Sequence, residues 1–308
     1  MRFVFEPGFF SNAPVRGALT LGAIVAVVSA VVGTFTVLRS QSFAGHALTD
    51  VATAGGAAAT YYGVSVLAGF ISASVIGAGS IEAIGADRVR RRDIATGIVL
   101  GAATGLSALF LWLDSSSTTT GASQQILFGS IFSVSSSTVA DAAVLSAAIL
   151  LVVAVLWRPI LLSAVSPEIA AARGIRTRLV GLLFTLALAI TVGVTSIAIG
   201  SILSTALLIG PAAASLRVTR TVVRAMALAC VLGVAATWLG ILFAYDSPYW
   251  DSSGSPLPVS FFIVVIVFFL YLVTGLPVFR HRLARRASTA PSGPGPGLVV
   301  PPPAVATR

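Results

Sequence analysis

The chain has 308 residues, 56% of them apolar and only 9% charged, with a mean hydropathy of +1.00, which excludes a large water-soluble catalytic domain and indicates a membrane protein. All 19 basic residues are Arg, set against 10 acids for a net charge of +9. Without any Lys there is no P-loop, whose Lys must reach the nucleotide phosphates, and no Schiff-base chemistry.

A helix needs about 20 apolar residues to cross a bilayer. The first such run, residues 17–38, follows a mixed N-terminal segment, residues 1–16, and is expected to be retained as a span. Residues 44–63 and 64–85 follow almost fused, rich in Gly, Ala, Ser and Thr, the composition that lets helix backbones approach closely in lipid. Residues 94–113, 139–157, 179–200, 201–216, 225–245 and 258–276 complete the set, with 201–216 short enough to be re-entrant. The sequence therefore predicts an all-α transmembrane helical bundle of eight or nine membrane segments over residues 17–277. The remaining stretch, 278–308, is rich in Pro, Gly and Ser toward its end and reads as a disordered cytoplasmic tail. The lone Cys230 lies in an apolar run and reads as a small core hydrophobe.

Arginine placement sets the orientation, because basic loops stay in the cytoplasm. When the spans alternate, every Arg except Arg2 and Arg16 falls on one side, and the opposite loops carry Asp114, Asp246 and Asp251 with no base. Those acidic outer loops are candidates for raising local cation concentration.

Ionisable side chains within spans are functional candidates by default. His46 and Asp50 lie at i and i+4, on one helix face, the first about 10 Å along a helix from Arg39 and the second about 6 Å deeper. Imidazole plus carboxylate suits Zn²⁺, Mn²⁺ or Fe²⁺, and the competing reading is a hydrogen bond that pins two helices. Asp141 reads as an interfacial residue in a first helical turn. Glu82, Asp87 and Asp93 lie among arginines and read as a solvated ion-pair loop. On the cytoplasmic side, Ser166 as N-cap, Pro167 at the first position, Glu168 in the first turn, Ala171, Ala172, then Arg173 and Gly174 spell a short, fully punctuated helix. Two turns are not stable alone in water, so this helix either docks on a partner or lies on its own bundle.

Four stretches resemble the membrane permeases of ABC importers for zinc and manganese, relatives of the siderophore and vitamin B12 permeases. They are Val37 through Asp50, Leu127-Phe128-Gly129-Ser130-Ile131, Glu168 through Ile175, and Leu203 through Ala214 with Ser204, Leu207, Leu208 and Pro211. One departure stands out: the family places Asp first and His four residues later, whereas here His46 precedes Asp50. The resemblance implies a homodimer in the bacterial plasma membrane, two ATPase subunits on its cytoplasmic face, coupled through Ser166 to Gly174, and an extracytoplasmic metal-binding protein. It implies a transported divalent metal ion, with His46 and Asp50 as ligands, rather than a resident cofactor, and no enzymatic activity or nucleic-acid partner of the chain itself. Alternatives from the residues are a siderophore or cobalamin permease, a metal/proton exchanger without an ATPase, and a scaffold in which the pair is a clamp.

Overall fold

The computed structural model describes residues 9, 12–85, 89–116, 122–129, 131–250 and 257–288; Asp87, Arg88, Asp251 and the tail beyond Ser288 lie outside the described residues. The described chain is helical, as expected, with no strand among the described residues. In order the helices are α1 (Ala13–Leu38), α2 (Ser42–Tyr61), α3 (Val66–Gly85), α4 (Val89–Ser116), α5 (Ala122–Phe128), α6 (Ser136–Val155), α7 (Trp157–Val165), α8 (Pro167–Ala172), α9 (Thr177–Ile199), α10 (Ser201–Val218), α11 (Val222–Asp246) and α12 (Val259–Ser288).

Six of these, α1, α3, α4, α6, α9 and α11, contain stretches long and apolar enough to cross a membrane. Apolar stretches of α10 and α12, 203–218 and 259–275, are shorter. α2 has the length of a span, at 20 residues, but is interrupted by His46, Asp50 and several Thr and Gly. Segment 201–216, expected as short, is the body of an 18-residue helix that runs through Pro211 without a break, about 27 Å long at 1.5 Å per residue. It reverses from α9 at Gly200, whose φ of 88° is a left-handed conformation that only Gly adopts at little cost. Two short helices were not expected: α5, within a predicted outer loop, and α7, where the α6 helix breaks at Leu156 and restarts at Trp157.

α1 and α9 are the central helices, 72% buried over their apolar windows, against 22% for α4 and α6. α1 packs on α6, α9, α10 and α11, and α9 also meets α2 and α3. Phe35 of α1 sits edge-on to Trp157 of α7 and Phe184 of α9, with ring centroids 5.1 and 6.4 Å away. α2 is enclosed by α3, α4, α9 and α10. Its approach to α3 is a backbone contact: a Cβ on Gly55 would collide with the carbonyl of Gly69, and one on Gly69 with that of Gly55. The small-residue composition of this pair is thus realised as close helix packing.

Candidate translocation site and coupling segment

α2 separates its polar residues by face. Thr49 and Thr53 point inward; the Thr49 hydroxyl donates to the Gly45 carbonyl at 3.0 Å and lies 3.0 Å from the Thr205 hydroxyl of α10. His46 and Asp50 point elsewhere: His46 is exposed and Asp50 half-buried. Thr104 of α4 donates to Asp50 Oδ2 at 3.2 Å, and Ser107 donates to the Asp50 backbone carbonyl at 3.2 Å. So α4 braces Asp50 while His46 makes no hydrogen bond among the described residues. A His46 to Asp50 clamp between helices is not formed; the bond across helices runs from Thr104 to Asp50.

Among the described residues no three His, Cys, Asp or Glu side chains gather in one place. A cavity of about 340 Å³ lined by Thr60, Gln125, Ser135 and Thr138, among others, lies near the opposite end of α2 and does not include either residue.

The α4 face next to this pair is open. Gly97, Gly101 and Gly105 recur every four residues, all exposed, and a Cβ on any of them would meet nothing within 4 Å. Ile98, Leu106, Leu109 and Trp112 are exposed around them. A Gly-x-x-x-Gly-x-x-x-Gly run was readable in the sequence and is the signal that reasoning from hydropathy alone missed.

At the Arg-rich end, Glu82 departs from the solvated role expected of it. It pairs with Arg92 of α4 and accepts from the Thr185 hydroxyl of α9 at 2.7 Å, while Arg92 Nη2 donates to Thr185 at 2.6 Å. With its amide oxygen facing the guanidinium, Gln41 accepts from Arg92 Nη1 at 2.7 Å. Arg39, just beyond α1, donates to Ser163 of α7 at 2.7 Å and lies over the Phe184 ring, 5.2 Å from its centroid. Burial lowers the Arg39 pKa to about 10; neighbouring Arg92 pushes the same way and Glu82 opposes them. Asp93, by contrast, is exposed as expected.

The punctuated helix forms as read. Ser166 accepts from the Ile169 amide at 3.3 Å, Pro167 opens α8, Glu168 lies in its first turn, Arg173 caps it and Gly174 leaves with φ of 77°. Ala170 is buried against the bundle, whereas Ala171, Ala172, Val165 and Ile169 are exposed. Two acids expected in outer loops are withdrawn from solvent instead: Asp114 is 2% and Asp246 6% exposed, each on a helix that outlasts the predicted span. Asp141 is exposed but sits in the second turn of α6, past the reach of the dipole argument. Cys230 is half-buried, facing the Val27 carbonyl of α1.

Comparison with known proteins agrees with this architecture. The chain is 27% identical over 271 residues to the manganese transport system membrane protein MntC of Listeria innocua, covering 87% of this chain and 94% of that one. It is 28% identical over 232 residues to the manganese import system permease protein ScaB of Streptococcus parasanguinis, covering 75% and 81%. Its fold matches a chain of the solved structure of PsaBC from Streptococcus pneumoniae in complex with Fab, with a TM-score of 0.71 at 24% identity over 87% of this chain and 92% of that one. The profile of the ABC 3 transport family matches residues 12–275, from the start of α1 to the apolar end of α12, and the chain belongs to that family.

Proposed function

We propose that this chain is the permease subunit of an ATP-driven importer of divalent transition metal, with manganese the first cargo to test and zinc or iron the alternatives. The unbroken match of one transport family across the spans carries the reading, and relatives named for manganese import direct the choice of metal. The chain is not an enzyme: it has no Lys for a P-loop, so ATP hydrolysis belongs to a separate subunit. That subunit docks on α8, through Ser166, Pro167, Glu168, Ala171, Ala172, Arg173 and Gly174. The exposed Ile169 on this helix and Val165 just before it support a partner on the cytoplasmic face. An extracytoplasmic metal-binding protein delivers the ion to the outer face.

His46 and Asp50 are the transient ligands. Two strong donors per chain suit an ion that must leave as readily as it enters, and nitrogen and oxygen donors suit Mn²⁺, Fe²⁺ or Zn²⁺. The functional unit is a homodimer whose seam includes the open glycine face of α4. Lipid is a poor neighbour for an exposed imidazole and a half-buried carboxylate, and a second copy seated on Gly97, Gly101 and Gly105 would cover α4 beside the Thr104 that holds Asp50. The test is reconstitution with a co-purified ATPase partner: ATP-dependent uptake of radioactive manganese into vesicles supports the reading. Uptake unaffected by ATP but driven by a proton gradient would favour an exchanger instead.

A further inference from the structure

The cluster around Glu82 joins parts of the molecule that the functional reading treats separately. Ser163 belongs to α7, three residues before the Ser166 cap of the proposed ATPase-docking helix, and its hydroxyl accepts from Arg39. Arg39 begins the turn from α1 to α2. That turn passes through Ser40, a non-glycine residue at φ of 55°, a conformation held only where surrounding contacts fix it. It ends at Gln41, buried to 7% exposure, whose side chain engages Arg92. Arg92 is paired with Glu82, and both meet Thr185 of the central helix α9. Five residues beyond Gln41, α2 carries His46. Arg92 thus rests on the Glu82 carboxylate and Arg39 on the Ser163 hydroxyl, and among the described residues each guanidinium leaves a buried Nε without a hydrogen-bond partner. Such partly satisfied buried polar groups respond strongly to small displacements, since the cost of losing a partner is high where water cannot replace it.

Resting on the functional reading above, we propose that Arg39, Glu82 and Arg92 are positioning residues of the transport cycle, linking movement of the ATPase-docking segment to the helix that carries His46 and Asp50. When α7 and α8 shift, Ser163 draws on Arg39 and hence on the strained turn; Gln41 and Arg92 carry the displacement to α3, α4 and α9. Glu82 sets the rest position, because its single negative charge holds Arg92 directly and offsets the repulsion between the two arginines.

The test measures ATP hydrolysis and metal uptake on the same vesicles containing the whole permease–ATPase complex. Glu82→Gln keeps the shape and an acceptor but loses the charge. The expected result is unchanged assembly and continued hydrolysis, with metal transported per ATP falling about tenfold or more, the size of an ordinary coupling between sites. Ser163→Ala, which removes only the acceptor for Arg39, should give a smaller loss of the same kind, and the exchange Glu82→Arg with Arg92→Glu should restore part of it. Normal transport per ATP in both Glu82→Gln and Ser163→Ala overturns the proposal. So does a fall in hydrolysis and uptake together, in step with the amount of assembled complex, which is what a merely structural cluster would give. Should Glu82→Gln fail to assemble, transport per ATP in Ser163→Ala decides alone. If the unmodified complex shows no ATP-driven uptake, the functional reading has failed rather than this linkage.

Discussion

Replacing Gly101 of α4 with Leu separates a helix that faces lipid from one that faces a second copy of the chain. Within one chain the change is free of clashes, because a Cβ at this position meets nothing within 4 Å and the residue is exposed. It also removes a glycine from the interior of a 28-residue helix, which should favour the helix by roughly 0.8–1 kcal/mol. The isolated protomer should therefore be as stable as the original or slightly more so. In a two-fold dimer closed over Gly97, Gly101 and Gly105 the same side chain enters the seam twice. Overpacking costs about 1–3 kcal/mol per site, or about 2–6 kcal/mol per dimer, a roughly 30-fold to 20,000-fold loss in dimer affinity. Single-molecule photobleaching in vesicles, diluted across a range of protein-to-lipid ratios, measures this directly. Gly79→Leu is the control, since Gly79 is also free of neighbours but lies on α3. Equal dimerisation of Gly101→Leu and the original chain would refute the α4 seam.

Three other outcomes follow from the geometry. Gly55→Val, which drives a branched side chain into the Gly69 carbonyl and Ala73, should destabilise the α2–α3 contact by at least about 1–3 kcal/mol, visible as a lower unfolding temperature in detergent and a reduced yield. Ser166→Ala removes the α8 cap and should cost about 1 kcal/mol of local helix stability, weakening co-purification of the ATPase without changing the melting of the bundle; Cys at Ala171 or Ala172 should crosslink to that ATPase. With Cys230 replaced, an impermeant thiol reagent applied to intact cells should label Cys at Ser116 and Ser253 but not at Thr177, and labelling at Thr177 would invert the topology.

Hydropathy made the helical architecture readable, because a helix in lipid must satisfy its backbone internally and declares itself by length. The α8 helix was readable residue by residue, since capping is a local matter of Ser166, Pro167 and Gly174. Partner choice was not. The spacing of His46 and Asp50 placed them on one face, but nothing local says that Thr104, 54 residues away, would be the one to brace Asp50. Glu82 has arginines as its sequence neighbours, which suggests a solvated loop, whereas it lies near the end of the apolar helix α3 and turns inward to Thr185, 103 residues later. The burial of Asp114 and Asp246 escaped for a related reason: a carboxylate at a span's end looks like loop until the helix is seen to continue through it.

If Asp50 and His46 touch the metal in transit, as proposed, Asp50→Asn should abolish transport without disturbing the fold. The amide still accepts a hydrogen bond from Thr104, so the brace between α2 and α4 and the fold should survive, while the charge that would bind the ion is lost. Uptake of radioactive manganese should be measured on complexes shown to be dimeric and ATPase-bound, with His46→Ala alongside. Both variants should assemble normally, hydrolyse ATP and fail to transport. Near-normal uptake by well-assembled Asp50→Asn complexes would contradict that role, leaving Asp50 as a helix brace and the metal path elsewhere.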